Sequence, residues 1–183
     1  MARLPYLDKS DLAAENQDLL TRGINLHRAL VHSPNGARAF IGLGKFIRHQ
    51  SRLDARLREM AILQVGYLAR SPCEWSHHVK IGFDFGVSDA DIQALIDDTA
   101  GKPNALEPAA KLVLRAAREI TRDLKASDAT WAELARTYDT ERLTDLTLTI
   151  AFYNAVVRVL ATLEIDVEPE YQPYLDKFPL PKG

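Results

Sequence analysis

Residues 57–68, Leu57-Arg58-Glu59-Met60-Ala61-Ile62-Leu63-Gln64-Val65-Gly66-Tyr67-Leu68, decide the fold. Apolar side chains fall at almost every angle of a 3.6-residue period, which marks a helix surrounded by protein rather than one lying on a surface. No other stretch alternates apolar and polar residues as a half-buried strand would. The chain is therefore expected to be all-α, a single helical domain over residues 1–183.

Working outward, Ser, Thr or Asp in the N-cap role marks the helix starts. These are Ser10, Asp54 after the Ser51-Arg52-Leu53 break, Ser71 before Pro72, Ser88 and Ser127. Gly23, Gly86 and Gly101 suit the left-handed turn that closes a helix. Together these signals predict helices over residues 10–21, 24–31, 34–49, 54–70, 72–85, 89–99, 106–123, 128–137 and 140–163. The segment 143–163 is as apolar as 57–68 and reads as a second enclosed helix; Asn154 and Arg158, four apart, share one of its faces. Segments 89–99 and 106–123 are amphipathic and belong to an outer layer. Residues 166–183 carry Pro169, Pro173, Pro179 and Pro181 with Tyr171, Tyr174 and Phe178, a pattern that predicts an extended, aromatic-anchored tail.

With 46% hydrophobic and 26% charged residues and a net charge of -2, the composition is that of an ordinary globular protein. Lys and Arg are scattered rather than striped, which argues against nucleic acid as a partner. No apolar stretch reads as a bilayer span and the N-terminus has no apolar signal core, so no membrane partner and a cytoplasmic location are expected. The single cysteine, Cys73, excludes an internal disulfide and fits a reducing compartment.

Chemistry concentrates in Ser71-Pro72-Cys73-Glu74-Trp75-Ser76-His77-His78-Val79. Ser71 and Glu74 have capping-box spacing around Pro72, so Glu74 reads equally as a helix cap or as a site carboxylate. Cys73 and His77, and likewise Glu74 and His78, are four apart and stack along adjacent faces. A carboxylate holding one nitrogen of His78 would leave the other for general acid or base work. His77, about 100° further round the helix, reads as a second candidate or as a surface or subunit contact. Glu59, inside an apolar helix, needs a partner, a proton or a cavity. Arg56, Arg158 or the histidines could supply that partner. Arg158 and Arg56 are equally suited to gripping a substrate carboxylate, with Trp75, Tyr153 and Asn154 as further binding residues. Adjacent histidines diverge on a helix and no His-Glu-x-x-His pattern occurs, so no metal site is expected. Cys73 at a helix start could instead serve as a nucleophile or redox thiol.

These residues resemble the carboxymuconolactone decarboxylase family, an all-helical group that includes the alkyl hydroperoxidase D thiol peroxidases. The resemblance rests on Leu53 to Leu63, on Cys73-Glu74-Trp75-Ser76-His77-His78-Val79 and on Phe85 to Ile92. It extends loosely to Tyr153-Asn154-Ala155-Val156-Val157-Arg158, covering about residues 24–169. The peroxidase branch uses a Cys-x-x-Cys pair and a downstream histidine; aligned on Cys73, the second cysteine falls on Ser76 and the histidine on Lys80. The branch with a Glu-Trp-x-x-His core matches better, as Glu74, Trp75 and His78 preceded by Arg56 and Glu59. The resemblance implies a trimer or hexamer of this chain, and for a small-molecule substrate that carries its own electron sink no organic cofactor is required. It implies decarboxylation, or a related proton transfer, of a small organic acid or lactone such as those of aromatic catabolism. A single-cysteine thiol peroxidase and a non-catalytic helical oligomer that binds a small molecule are the alternatives.

Overall fold

A computed structural model describes residues 2–181. At its centre runs α3 (Ala55–Leu68), in which every residue from Arg58 to Gly66 is buried. Around it pack α4 (Pro72–Asp84), α6 (Pro108–Asp123) and α8 (Thr140–Leu163), while α5 (Asp89–Thr99) and α7 (Asp128–Thr137) flank the outer side. Two further helices, α1 (Asn25–Leu30) and α2 (Pro34–His49), close the end of the bundle where the site lies. The described residues contain no strand. The molecule is a single-domain, all-α bundle, as the sequence predicts.

Two apolar clusters meet along α3. One joins Ile62 and Val65 to Ile47, Val113, Ile150 and Val157; the other joins Met60 and Leu63 to Trp75, Ile92, Leu95 and Leu114. Each such side chain, fully buried, contributes roughly 1.5–3 kcal/mol. Gly66 permits the closest approach of α4: a Cβ there would lie 3.4 Å from Glu74 Cγ and 3.5 Å from the backbone nitrogen of Trp75.

Local signals act as expected at Asp54, Ser88 and Ser127, whose side chains accept from the backbone N–H of Leu57, Asp91 and Thr130. Gly86 and Gly101 take positive φ values of 89° and 71°. Gly23 does not, and the expected first helix is a pair of 3-10 segments, Lys9–Asp11 and Ala14–Leu20. The capping box at Ser71 does not form: its hydroxyl caps nothing, and Glu74 turns inward to the site.

The described part of the tail, residues 166–181, is not extended, and residues 182–183 lie outside the described residues. Pro169–Tyr171 forms a 3-10 turn that leads into α9 (Gln172–Lys177), which packs on α4, and Trp75 Nε1 donates to the Phe178 carbonyl at 2.7 Å. The last long helix is also not enclosed. One face of α8 is buried, but Leu148 is 39% exposed and Ala151, Ala155 and Arg158 face outward. By length and apolar character α8 would suffice to cross a bilayer, contrary to the expectation that no segment does. In the fold its other face is packed against α3, α6 and α4.

Candidate active site

The site forms where α3, α4 and α8 converge beneath α1 and α2. Glu59 is wholly buried on α3, and His78 on α4 places Nδ1 2.7 Å from Glu59 Oε2, donating to it. The second oxygen of Glu59 accepts from Arg58 at 3.3–3.4 Å, and the Arg58 guanidinium lies over the Phe85 ring. The partners of Glu59 are therefore His78 and Arg58; neither Arg56 nor Arg158 reaches it. A buried carboxylate held by a cation and an imidazole offsets much of its desolvation cost.

On its other side, His78 Nε2 lies 3.2 Å from Glu74 Oε1. The two are close without hydrogen-bond alignment, and Glu74 Oε1 has no hydrogen-bond partner among the described residues. Burial pushes the Glu74 carboxyl above the ordinary carboxylate range, against the pull of His78 and His77. The result is one imidazole between two carboxyl groups, one of them hydrogen-bonded to it. Tyr153 meets the His78 ring edge-on at 4.9 Å, and burial, with Glu74 and Glu59 nearby, raises its phenol pKa further. Tyr153 is a neutral O–H here.

These groups face a cavity of about 60 Å³ whose wall includes Arg22, His27, Arg48, Glu74, His77, His78 and Tyr153. His27, Arg22 and Arg48 carry no sequence signal of function: each sits in an ordinary helical or loop context and gains its position only through packing of α1 and α2. Burial, and then the cations Arg22 and Arg48, depress His27 to about 4, so its ring is uncharged at neutral pH.

His77 is turned to the tail. Its Nε2 donates to Glu168 Oε2 at 2.7 Å, its ring stacks on Tyr171 with centroids 3.6 Å apart, and Glu168 also accepts from the backbone N–H of Asn25. Cys73 Sγ lies 3.9 Å from that same His77 nitrogen. A nitrogen already donating to Glu168 cannot take the thiol proton. Burial, then Glu168 and Glu74, push the Cys73 thiol well above its ordinary value. Cys73, His77 and Glu168 form the one cluster among the described residues with metal-ligand types in close range. His77 Nε2 and both oxygens of Glu168 have partners within the chain.

The remaining sequence candidates lie elsewhere. Arg56 is bound by Asp91 and Glu107 and ties α3 to α5 and to the start of α6. Arg158 is exposed and reaches Asn154, whose amide donates to Thr121 and to the Ile150 carbonyl. Trp75 is fully buried in the core, away from the cavity wall. Lys80, where aligning on Cys73 puts a histidine, is a surface residue paired with Asp84. Moving the same spacing two residues earlier falls on Ser71, Glu74 and His78, so the histidine position coincides with the ring bonded to Glu59.

A profile of the Carboxymuconolactone decarboxylase family matches residues 34–119, which span α2 to α6 and contain Glu59, Glu74 and His78. Within residues 34–119 the chain is similar to that family, and its fold is of the AhpD-like type. Among solved structures it is similar to an AhpD-core, peroxidase-related protein from Ralstonia eutropha JMP134, 17% identical, with a TM-score of 0.80 and 95% of each chain covered. It is also similar to the debrominase Bmp8, 21% identical, with a TM-score of 0.78 over 93% of this chain and 95% of that one. A peroxidase-related protein from Silicibacter sp. TM1040 is 19% identical, with a TM-score of 0.74 and 92% of each chain covered. No curated protein matches the sequence. At these identities the similar structures establish the fold alone.

Proposed function

We propose that this protein is a general acid-base enzyme that decarboxylates, or moves a proton on, a small organic acid or lactone. The observation that carries the reading is His78, held between Glu59 at 2.7 Å and Glu74 at 3.2 Å on a cavity wall. In the decarboxylation form, the carbon–carbon bond to the carboxylate breaks as carbon dioxide leaves. Its electron pair passes into a carbonyl conjugated within the substrate, and the enolate carbon takes the proton from His78 Nε2. A proton from solvent then returns to Nε2 by way of the Glu74 carboxyl, while Glu59 fixes Nδ1 and the ring orientation. Tyr153 is placed to donate its O–H to the developing enolate oxygen.

The thiol-peroxidase alternative is not favoured, because Cys73 is buried, lies off the cavity wall and has no free base beside it. The test is turnover of a panel of keto acids and lactones in deuterated water. Expected are product deuterated at the carbon that bore the carboxylate and a loss of at least ~100-fold in kcat for His78→Gln. Near-wild-type kcat in that variant sinks the reading.

A further inference from the structure

We propose that Arg48 and Arg22 form a carboxylate clamp at the neck of the site, selecting short carboxylate anions whose uncharged end reaches His78. The inference uses the acid-base reading for the fate of the bound molecule, not for its binding.

Outside the inner cavity lies a vestibule of about 410 Å³, and the two share Arg22, His27, Ile41 and Arg48. The vestibule wall carries four cationic side chains, Arg22, Arg38, Lys45 and Arg48, against one carboxylate, Asp18. Asp18 is taken up by Arg38, which it binds through both oxygens at 2.7 and 3.0 Å. Arg22, Lys45 and Arg48 have no carboxylate within ion-pair distance among the described residues. Arg48 is anchored through Nε to the Gly44 carbonyl at 3.2 Å, which leaves both terminal nitrogens without a partner among the described residues. Burial lowers its pKa, so its charge is partly desolvated. A positioned guanidinium with a free fork, in a site that water only partly reaches, is matched by a planar carboxylate.

The inner cavity limits the size of the ligand's other end. At about 60 Å³ it is well under the ~150 Å³ of a cavity that holds benzene, so the end beside His78 is a few heavy atoms rather than a ring. His27, uncharged between the two compartments, adds no competing cation at the neck.

Calorimetric titration of the full chain with crotonate, crotonamide, benzoate and inorganic phosphate tests the clamp. Crotonate should bind saturably, and crotonamide at least ~10-fold more weakly, since charge-assisted hydrogen bonds carry the difference. Benzoate and phosphate should each bind more weakly than crotonate. Arg48→Met and Arg22→Met should each weaken crotonate by ~10-fold, and Arg22, on the half-buried segment before α1, keeps the test usable if the α2 variant folds poorly. Equal binding of crotonate and crotonamide, undiminished binding in both variants, or benzoate or phosphate binding as tightly as crotonate would overturn the proposal. His78→Gln separates the two readings: it should bind crotonate normally. If it also retains turnover, the catalytic reading fails and the clamp stands.

Discussion

At the scale of single residues, the site depends on which groups are denied their ordinary charge. His27 is the clearest case, being buried, held to about 4 and with no partner for Nδ1 among the described residues. An imidazole whose folded pKa lies below its unfolded value of ~6.5 takes up a proton in the unfolded chain first as pH falls. Its effect is a loss of stability that begins near pH 6.5 and is complete near pH 4. In His27→Gln that component is absent. The difference in urea unfolding free energy between wild type and variant should therefore shift against the wild type by about 3 kcal/mol between those pH values. A pH-independent difference would show that His27 is charged or solvated in the fold. Glu74 acts with the opposite sign, since its raised pKa makes stability fall as pH climbs above the ordinary carboxylate value. Residue-level reading of the sequence reached Glu59, Glu74 and His78, because an acid in an apolar helix and an i,i+4 Glu–His pair are local facts. It missed Arg22, His27 and Arg48 and favoured Arg56 and Arg158. Spacing along one helix shows which residues share a face but not which face meets the cavity.

At the scale of elements, α4 is held in place from both sides, by α3 through the close approach at Gly66 and by the tail. The tail grips it at Trp75 through the Phe178 carbonyl and at His77 through Glu168 and Tyr171. Burial works against ionisation of Glu168, but hydrogen bonds from His77 and the Asn25 backbone hold its pKa below the ordinary value. The contribution of Glu168 is therefore present above its unfolded pKa of ~4.5 and lost as pH falls through the lower folded value. Glu168→Gln keeps the shape and removes the charge. Urea unfolding at pH 7 should show a loss of about 1–3 kcal/mol, shrinking as pH drops below about 4. A loss that is the same at pH 7 and pH 3 would mean that Glu168 acts through packing alone. The tail was misread as extended because four prolines suggest a polyproline path, yet Pro169 and Pro173 fall in first turns, where a missing N–H costs little. The other boundary signals survive folding at Asp54, Ser88 and Ser127 because each is exposed and only the local backbone decides its role. At Ser71 tertiary packing overrides the cap, because the close approach of α4 to α3 at Gly66 buries Glu74.

At the scale of the whole molecule, the net charge of -2 conceals a local field of the opposite sign. Among the described residues, Arg22, Lys45 and Arg48 have no carboxylate partner around the vestibule, while Arg38 is engaged by Asp18, Arg52 by Glu141, Arg56 by Asp91 and Glu107, and Arg115 by Glu133. A concave surface with unneutralised positive charge draws anions toward its mouth over roughly a Debye length, ~30 Å at 0.01 M ionic strength and ~8 Å at 0.15 M. For a carboxylate substrate, kcat/KM should therefore fall several-fold across that range of salt while kcat stays nearly constant, because steering changes encounter and not the chemical step. Lys45 is exposed at the vestibule wall and absent from the inner cavity, so Lys45→Gln should flatten the salt dependence without altering kcat. A neutral amide analogue should show no salt dependence in either protein. Stopped-flow or steady-state measurement over the salt series decides the matter: equal slopes for the acid and its amide would show that the vestibule field does not reach the substrate.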